Sequence, residues 1–298
     1  MIFKEDIINY IDILKTASEK ISHLQNRTLD ILELSKPKTA QSACQLAKVI
    51  SKLSPLLGNM IEYTVVDILN ELNWNNLGQW FRQDPGFPDA TFKGKISPEP
   101  GVEIKAWFPF STEITARFKD SVSHFANNQI NVALIAWLPE FVIYGKPIII
   151  DTMICSAASV ASARDSHYHN PPHYLVLEPE DTSSRTCNLQ QTNTNGYVFQ
   201  GNNEEFIQVK SEIDSWENGY QYSTLEDYQR KIKSLIGKYN YRLDTNFAKI
   251  DRIQHPVIEL FKTRVLNTVF KGKTIKEWTR ILTRADEETV IKELLPLL

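Results

Sequence analysis

The chain has 298 residues, 42% of them hydrophobic and 23% charged, which is enough to bury a sizeable core and excludes collagen-like, disordered and coiled-coil readings. Thirty-three basic against 36 acidic residues leave a net charge of −3, so no global positive field advertises nucleic acid and any basic cleft must be local. Cys44, Cys155 and Cys187 are odd in number, widely spaced and without a Cys-x-x-Cys pair, a usage that fits a reducing cytoplasm.

The opening Met1 to Asp6 mixes both signs of charge with apolar residues, unlike the basic start and unbroken apolar run of a secretion signal. Residues 1–35 carry Ile7, Ile8, Ile11, Leu14 and Ile21 at spacings that predict one or two amphipathic helices, closed by Pro37. Further helices are expected over 41–57 and 60–72, the latter with an apolar stripe of Ile61, Val65, Ile68, Leu69 and Leu72. After a segment rich in Trp, Gly and Pro, alternation from Val102 to Phe108 predicts a strand that shows Glu103, Lys105 and Trp107 on its other face. Strands are expected again at 131–138, at 141–154 around the turn Tyr144-Gly145-Lys146-Pro147, and at 174–177, with a small-residue helix at 156–164. Asn195-Gly196 is a hairpin-turn signal, and from 225 to 298 the pattern returns to helices, broken near Pro256 and Gly272. The apolar run Val132 to Leu138 is far short of the ~20 residues that span a bilayer, so no membrane partner is expected. An α/β protein results, with an N-terminal helical region (1–57), a sheet-bearing core (58–222) and a C-terminal helical region (223–298).

Phosphate-loop, dinucleotide, nucleophile-elbow and H-E-x-x-H motifs are absent, so no nucleotide cofactor is expected. What stands out is Pro88-Asp89, then thirteen residues, then Glu103-Ile104-Lys105. Hydrolysing a phosphodiester requires a divalent cation that neutralises charge on the phosphate and lowers the pKa of the attacking water, and oxygen ligands suit Mg²⁺. Glu103 and Lys105, two apart on a strand, leave the same face, so the ammonium can stand beside a metal and orient water or stabilise the transition state. A short hairpin between residues 89 and 103 would bring Asp89 to the same place. Glu62 adds a carboxylate near the start of the preceding helix.

This order of helix Glu, Asp and Glu-x-Lys resembles the PD-(D/E)xK nuclease superfamily, in particular type II restriction endonucleases of the MutH-like subset. Three segments carry the likeness over about residues 58–200: the G-x-x-x-E helix from Gly58 to Leu69, the G-V-E-L-K-like strand from Gly101 to Pro109, and the later strands at Val132 to Pro139 and Leu175 to Asp181. The resemblance implies a restriction-endonuclease-like mixed sheet flanked by helices and Mg²⁺-dependent, site-specific cleavage of double-stranded DNA. It also implies metal ligation by Asp89 and Glu103 and an auxiliary role for Glu62. A homodimer is expected from the two-fold symmetry of palindromic sites, although the MutH-like subset includes monomers that nick. The terminal helical regions have no counterpart in the resemblance. A DNA repair or structure-specific nickase on the same fold, and a non-catalytic DNA-binding module, are the alternatives.

Base recognition is expected in 162–173 and in a hairpin over 185–197, a stretch dense in amides and hydroxyls; its other reading is a polar surface hairpin. Asn and Gln pair bidentately with adenine and Arg with guanine, which selects Arg164, Arg185, Gln190, Gln191, Asn193 and Asn195. His167, His169 and His173 with Cys155 offer a zinc pattern, against a loop that displays His to solvent. Trp74, Trp80 and Trp107 are expected in the core rather than stacked on bases.

Overall fold

The computed structural model describes residues 8–83, 86–111, 113–119, 122–125, 127–178 and 194–298. Asn9 starts the first helix, accepting from the N–H groups of Ile11 and Asp12 while the Asp12 carboxylate takes the Asn9 N–H, and α1 (Tyr10–Ser22) buries Ile13, Leu14, Ala17 and Ile21. The helix expected to continue toward residue 35 ends there. Instead the chain runs along the sheet edge, with Asn26 N–H donating to the Ile149 carbonyl (2.7 Å), Leu29 N–H to that of Pro147 (2.8 Å) and Leu34 N–H to that of Gly145 (3.0 Å). A strand edge that would otherwise be open is thereby covered.

Helix α2 (Ala40–Val49) is capped by Thr39, and α3 (Ser54–Asn70) begins with Pro55 in its first turn. No break falls between residues 57 and 60: α3 runs through Gly58, where a β-carbon would touch that of Ala106 at 3.7 Å, so the helix lies close against the sheet. The sheet comprises β1 (Gly78–Arg82), β2 (Ala90–Gly94), β3 (Gly101–Trp107), β4 (Ile130–Pro139) and β5 (Pro147–Ser156), in that spatial order. All pairings are antiparallel except β3 with β4. Every β4 residue but Asn131 is buried, as expected of a strand covered on both faces.

Helix α4 (Ala157–Tyr168) follows, capped by Ser156. The chain then builds β6 (Tyr174–Leu177), β7 (Asn195–Phe199), α5 (Asn203–Asp214), α6 (Glu226–Lys238) and β8 (Tyr241–Asp244), the strands forming a second, antiparallel sheet. It closes with α7 (Pro256–Asn267), the short pair β9 (Val269–Phe270) and β10 (Lys273–Thr274), α8 (Ile275–Arg284) and α9 (Glu287–Leu294). The C-terminal region is thus not purely helical, since Tyr241–Asp244 pairs with β7.

The core does not follow the expected three-part division. Ile13, Ile61, Ile104, Leu134, Phe261 and Trp278 belong to one apolar cluster, so α1–α3 and α7–α9 flank the five-stranded sheet together. Residues 174–244 carry a small cluster of their own, Leu175, Val209, Ile213, Ile232 and Leu235. Trp74, Trp80 and Trp107 are buried, as expected. No helix among the described residues is long and apolar enough to cross a membrane.

Candidate active site

The site forms where the turn entering β2 meets the start of β3. A β-carbon on Gly101 would lie 2.4 Å from Pro88 Cγ, so the missing side chain is what lets the Pro88-Asp89 turn pack onto β3. Pairing of Ala90 with Val102 and of Thr91 with Gly101 then sets Asp89 alongside Glu103. The two residues lock reciprocally: Asp89 N–H donates to Glu103 Oε2 (3.1 Å), and Asp89 Oδ2 accepts from the Ile104 N–H (2.7 Å). The expected hairpin is therefore present, and it delivers both carboxylates to one point.

Lys105 completes the cluster, because alternate residues of a strand share a face. Its Nζ lies 2.5 Å from Glu103 Oε1 and 3.2 Å from Asp89 Oδ2, with the three side chains only 17% (Lys105), 4% (Glu103) and 12% (Asp89) exposed. Burial opposes the Lys105 charge, but Glu103 and Asp89 outweigh it and hold the ammonium well above the ordinary lysine range. Lys105 is therefore a fixed cation and hydrogen-bond donor near neutral pH, not a base.

Glu62 comes from α3, whose end is tied to β1 by the Asn70 amide: Trp80 N–H donates to its Oδ1 and its Nδ2 donates to the Trp80 carbonyl, each at 2.8 Å. Arg82 on β1 stands 3.5 Å from Glu62 Oε2. Burial first, and then the negative charge of Asp89, push the Glu62 carboxyl up to about 7, against the pull of Lys105 and Arg82. A carboxyl poised near neutrality thus stands within electrostatic reach of the Asp89 and Lys105 charges. Sequence reasoning missed Arg82, whose role depends on the pairing of β1 with β2 and carries no local motif.

The donor pair fits a hard divalent cation: two adjacent carboxylates on Asp89 and Glu103, with a cation, the Lys105 ammonium, already held between them. Among the described residues no three His, Cys, Asp or Glu side chains gather closely enough to hold a metal between them. That applies to His167, His169, His173 and Cys155 as well. Mg²⁺ commonly takes only one or two protein carboxylates and fills its shell with water and phosphate oxygens, which two ligands here would allow.

Arg164 requires correction as a base-reading residue. Its guanidinium is fully buried, bonded to the Asp165 carboxylate and the Lys119 carbonyl, 3.4 Å from Glu178 Oε1 and 5.4 Å from the centre of the Phe247 ring. No base edge reaches it there. Arg185, Gln190, Gln191 and Asn193 lie outside the described residues. Asn195 and Gly196 are not the tip of a turn but the first residues of β7, paired with Leu177 and Val176. A β-carbon on Gly196 would fall 1.9 Å from Tyr174 Oη, so this glycine makes room for a cross-strand tyrosine.

The chain is a mixed α/β protein whose five-stranded sheet, flanked by helices, carries a buried Asp–Glu–Lys cluster at one strand. No family model, curated protein or solved structure matches it.

Proposed function

We propose that the protein is a Mg²⁺-dependent endonuclease with a restriction-endonuclease-like fold, most specifically a type II restriction enzyme that hydrolyses phosphodiester bonds in double-stranded DNA. The observation that supports this reading is the convergence of Asp89, Glu103 and Lys105, with the ammonium held between two carboxylates that come from a turn and a strand. Asp89 and Glu103 would hold the metal, which when bound neutralises phosphate charge and acidifies an attacking water.

The remaining roles fall to the chain itself. Lys105 keeps its proton, so it donates toward a phosphate oxygen as negative charge builds there. Glu62, largely buried and held 3.5 Å from Arg82, would be the further carboxylate placed to take a proton. Base recognition falls in this reading to Arg185, Gln190, Gln191, Asn193 and Asn195, and a two-fold homodimer would cut both strands.

The test is incubation of supercoiled plasmid with the purified protein in Mg²⁺ and in EDTA. Linear product or discrete fragments in Mg²⁺ alone are expected. Open circles alone would favour a nickase, and preference for branched DNA a structure-specific enzyme. Binding of DNA without any cutting would leave a non-catalytic module and overturn the proposal.

A further inference from the structure

Beyond the carboxylate cluster, the C-terminal helices form a second charged surface on the same side of β3. Trp107 is two residues past Lys105, so it leaves the same face roughly 7 Å further along the strand. It lines a cleft of about 380 Å³ that also takes in Asp251, paired with Lys262 at 3.3 Å, and the three cations Lys276, Arg280 and Arg284. The cleft is fixed to the strand end: Thr279 Oγ1 donates to the Pro109 carbonyl (3.1 Å), and the buried Trp278 indole donates to that of Phe270 (2.7 Å).

Lys276, Arg280 and Arg284 stand four residues apart on α8, which makes one stripe with about 6 Å between successive positions. All three are exposed, and none forms a salt bridge with another described residue. Helix stability accounts for Arg284 alone, which lies in the last turn where the dipole favours a cation. Like charges four apart repel, and Lys276 lies in the first turn, where the helix dipole disfavours a cation. Glu277, the acidic residue of α8, accepts from the Thr274 N–H (2.7 Å) in a capping box. Of the seven basic residues in 256–284, Lys262, Arg264 and Lys273 are paired with Asp251, Asp151 and Glu293, so the stripe of Lys276, Arg280 and Arg284 carries the positive charge of this surface.

The geometry points to this cleft as a seat for backbone phosphates of duplex DNA, flanking the phosphate that reacts at Asp89, Glu103 and Lys105. The identity of the polyanion rests on the nuclease reading. Such contacts position the duplex and carry no sequence information, so they act on every sequence alike.

The experiment is binding of a labelled DNA duplex in Ca²⁺ over a series of salt concentrations, alongside plasmid cleavage in Mg²⁺. The wild type is compared with Lys276→Gln/Arg280→Gln/Arg284→Gln and with a control of equal charge loss, Lys15→Gln/Lys38→Gln/Lys52→Gln; all six residues are exposed, so folding is not at stake. The cleft variant is expected to lose ~10-fold or more in affinity at low salt, and its plot of log affinity against log salt to be shallower by about 2 to 3, while the control stays near wild type. A cleft variant that binds like wild type, or a control that loses as much, overturns the cleft and leaves the nuclease reading intact. Loss in the cleft variant without any cutting by the wild type upholds the cleft and removes the nuclease. A wild type that does not bind duplex removes both.

Discussion

Two clusters of buried charge in this chain are built on different terms. At Asp89, Glu103 and Lys105 the partners come from a turn and a strand, the side chains keep some solvent contact, and with Glu62 three carboxylates face two cations, Lys105 and Arg82. At Arg164 the guanidinium and the Glu178 side chain are fully enclosed, and Asp165 and the Lys119 carbonyl complete the shell. The first cluster keeps Asp89 and Lys105 partly exposed, an opening through which a cation could exchange. The second is saturated and shut, which suits fastening the segment after β6 to α4. Charge balance does not separate the two, since each holds one carboxylate more than its cations; access separates them, and it makes the partly open cluster the candidate for chemistry.

The largest expected effect separates the clusters by activity. In the proposed reaction Asp89→Ala and Lys105→Ala would each remove a group that acts on the transition state, so cleavage should fall ~10²-fold or more. Duplex affinity in Ca²⁺ should stay within a few-fold of wild type, because binding draws on many phosphates. Cleavage by either variant at near the wild-type rate would remove the first cluster from the chemistry.

The second effect separates them by stability. Arg164→Met leaves Glu178 and Asp165 without their buried cation, which should cost about 3–5 kcal/mol in urea unfolding, while the folded fraction cuts at the wild-type rate. A loss well under 1 kcal/mol would mean that the guanidinium is not enclosed, and the contrast between the two clusters would fail.

The smallest effect is a pH dependence. The folded chain holds the Glu62 proton up to about pH 7, whereas the unfolded chain releases it near the ordinary value of 4.5. The folded state therefore binds more protons between these values, and ionised Glu62 weighs against folding increasingly as pH rises from 4.5 to 7, and fully above 7. In EDTA, the Tm of Glu62→Gln relative to wild type should be higher at pH 8 than at pH 5. An equal difference at both pH values would place Glu62 in an ordinary solvated setting.

The parts of this fold legible in the sequence are those ruled by local periodicity. Alternation around Glu103 and Lys105, the apolar run of β4 and the small-residue helix α4 all stand where their patterns put them, and the thirteen-residue spacing after Asp89 does form a hairpin. What escaped was ruled by distant partners. The helical region expected over residues 1–35 stops at Ser22, and Asn26, Leu29 and Leu34 instead donate to the β5 edge and the turn before it, partners that no local pattern shows. Asn195-Gly196 reads as a turn, yet the glycine answers to the Tyr174 ring across the sheet. Arg164 looks like a free cation until Glu178, fourteen residues on, closes over it.

The most direct test of the central claim is digestion of genome-sized DNA in Mg²⁺ followed by sequencing of the ends, with EDTA and Asp89→Asn as controls. Ends that share one short sequence, made by the wild type in Mg²⁺ and absent from both controls, are the expected result. No Mg²⁺-dependent ends, or the same ends from Asp89→Asn, would contradict the assignment of phosphodiester hydrolysis to Asp89, Glu103 and Lys105.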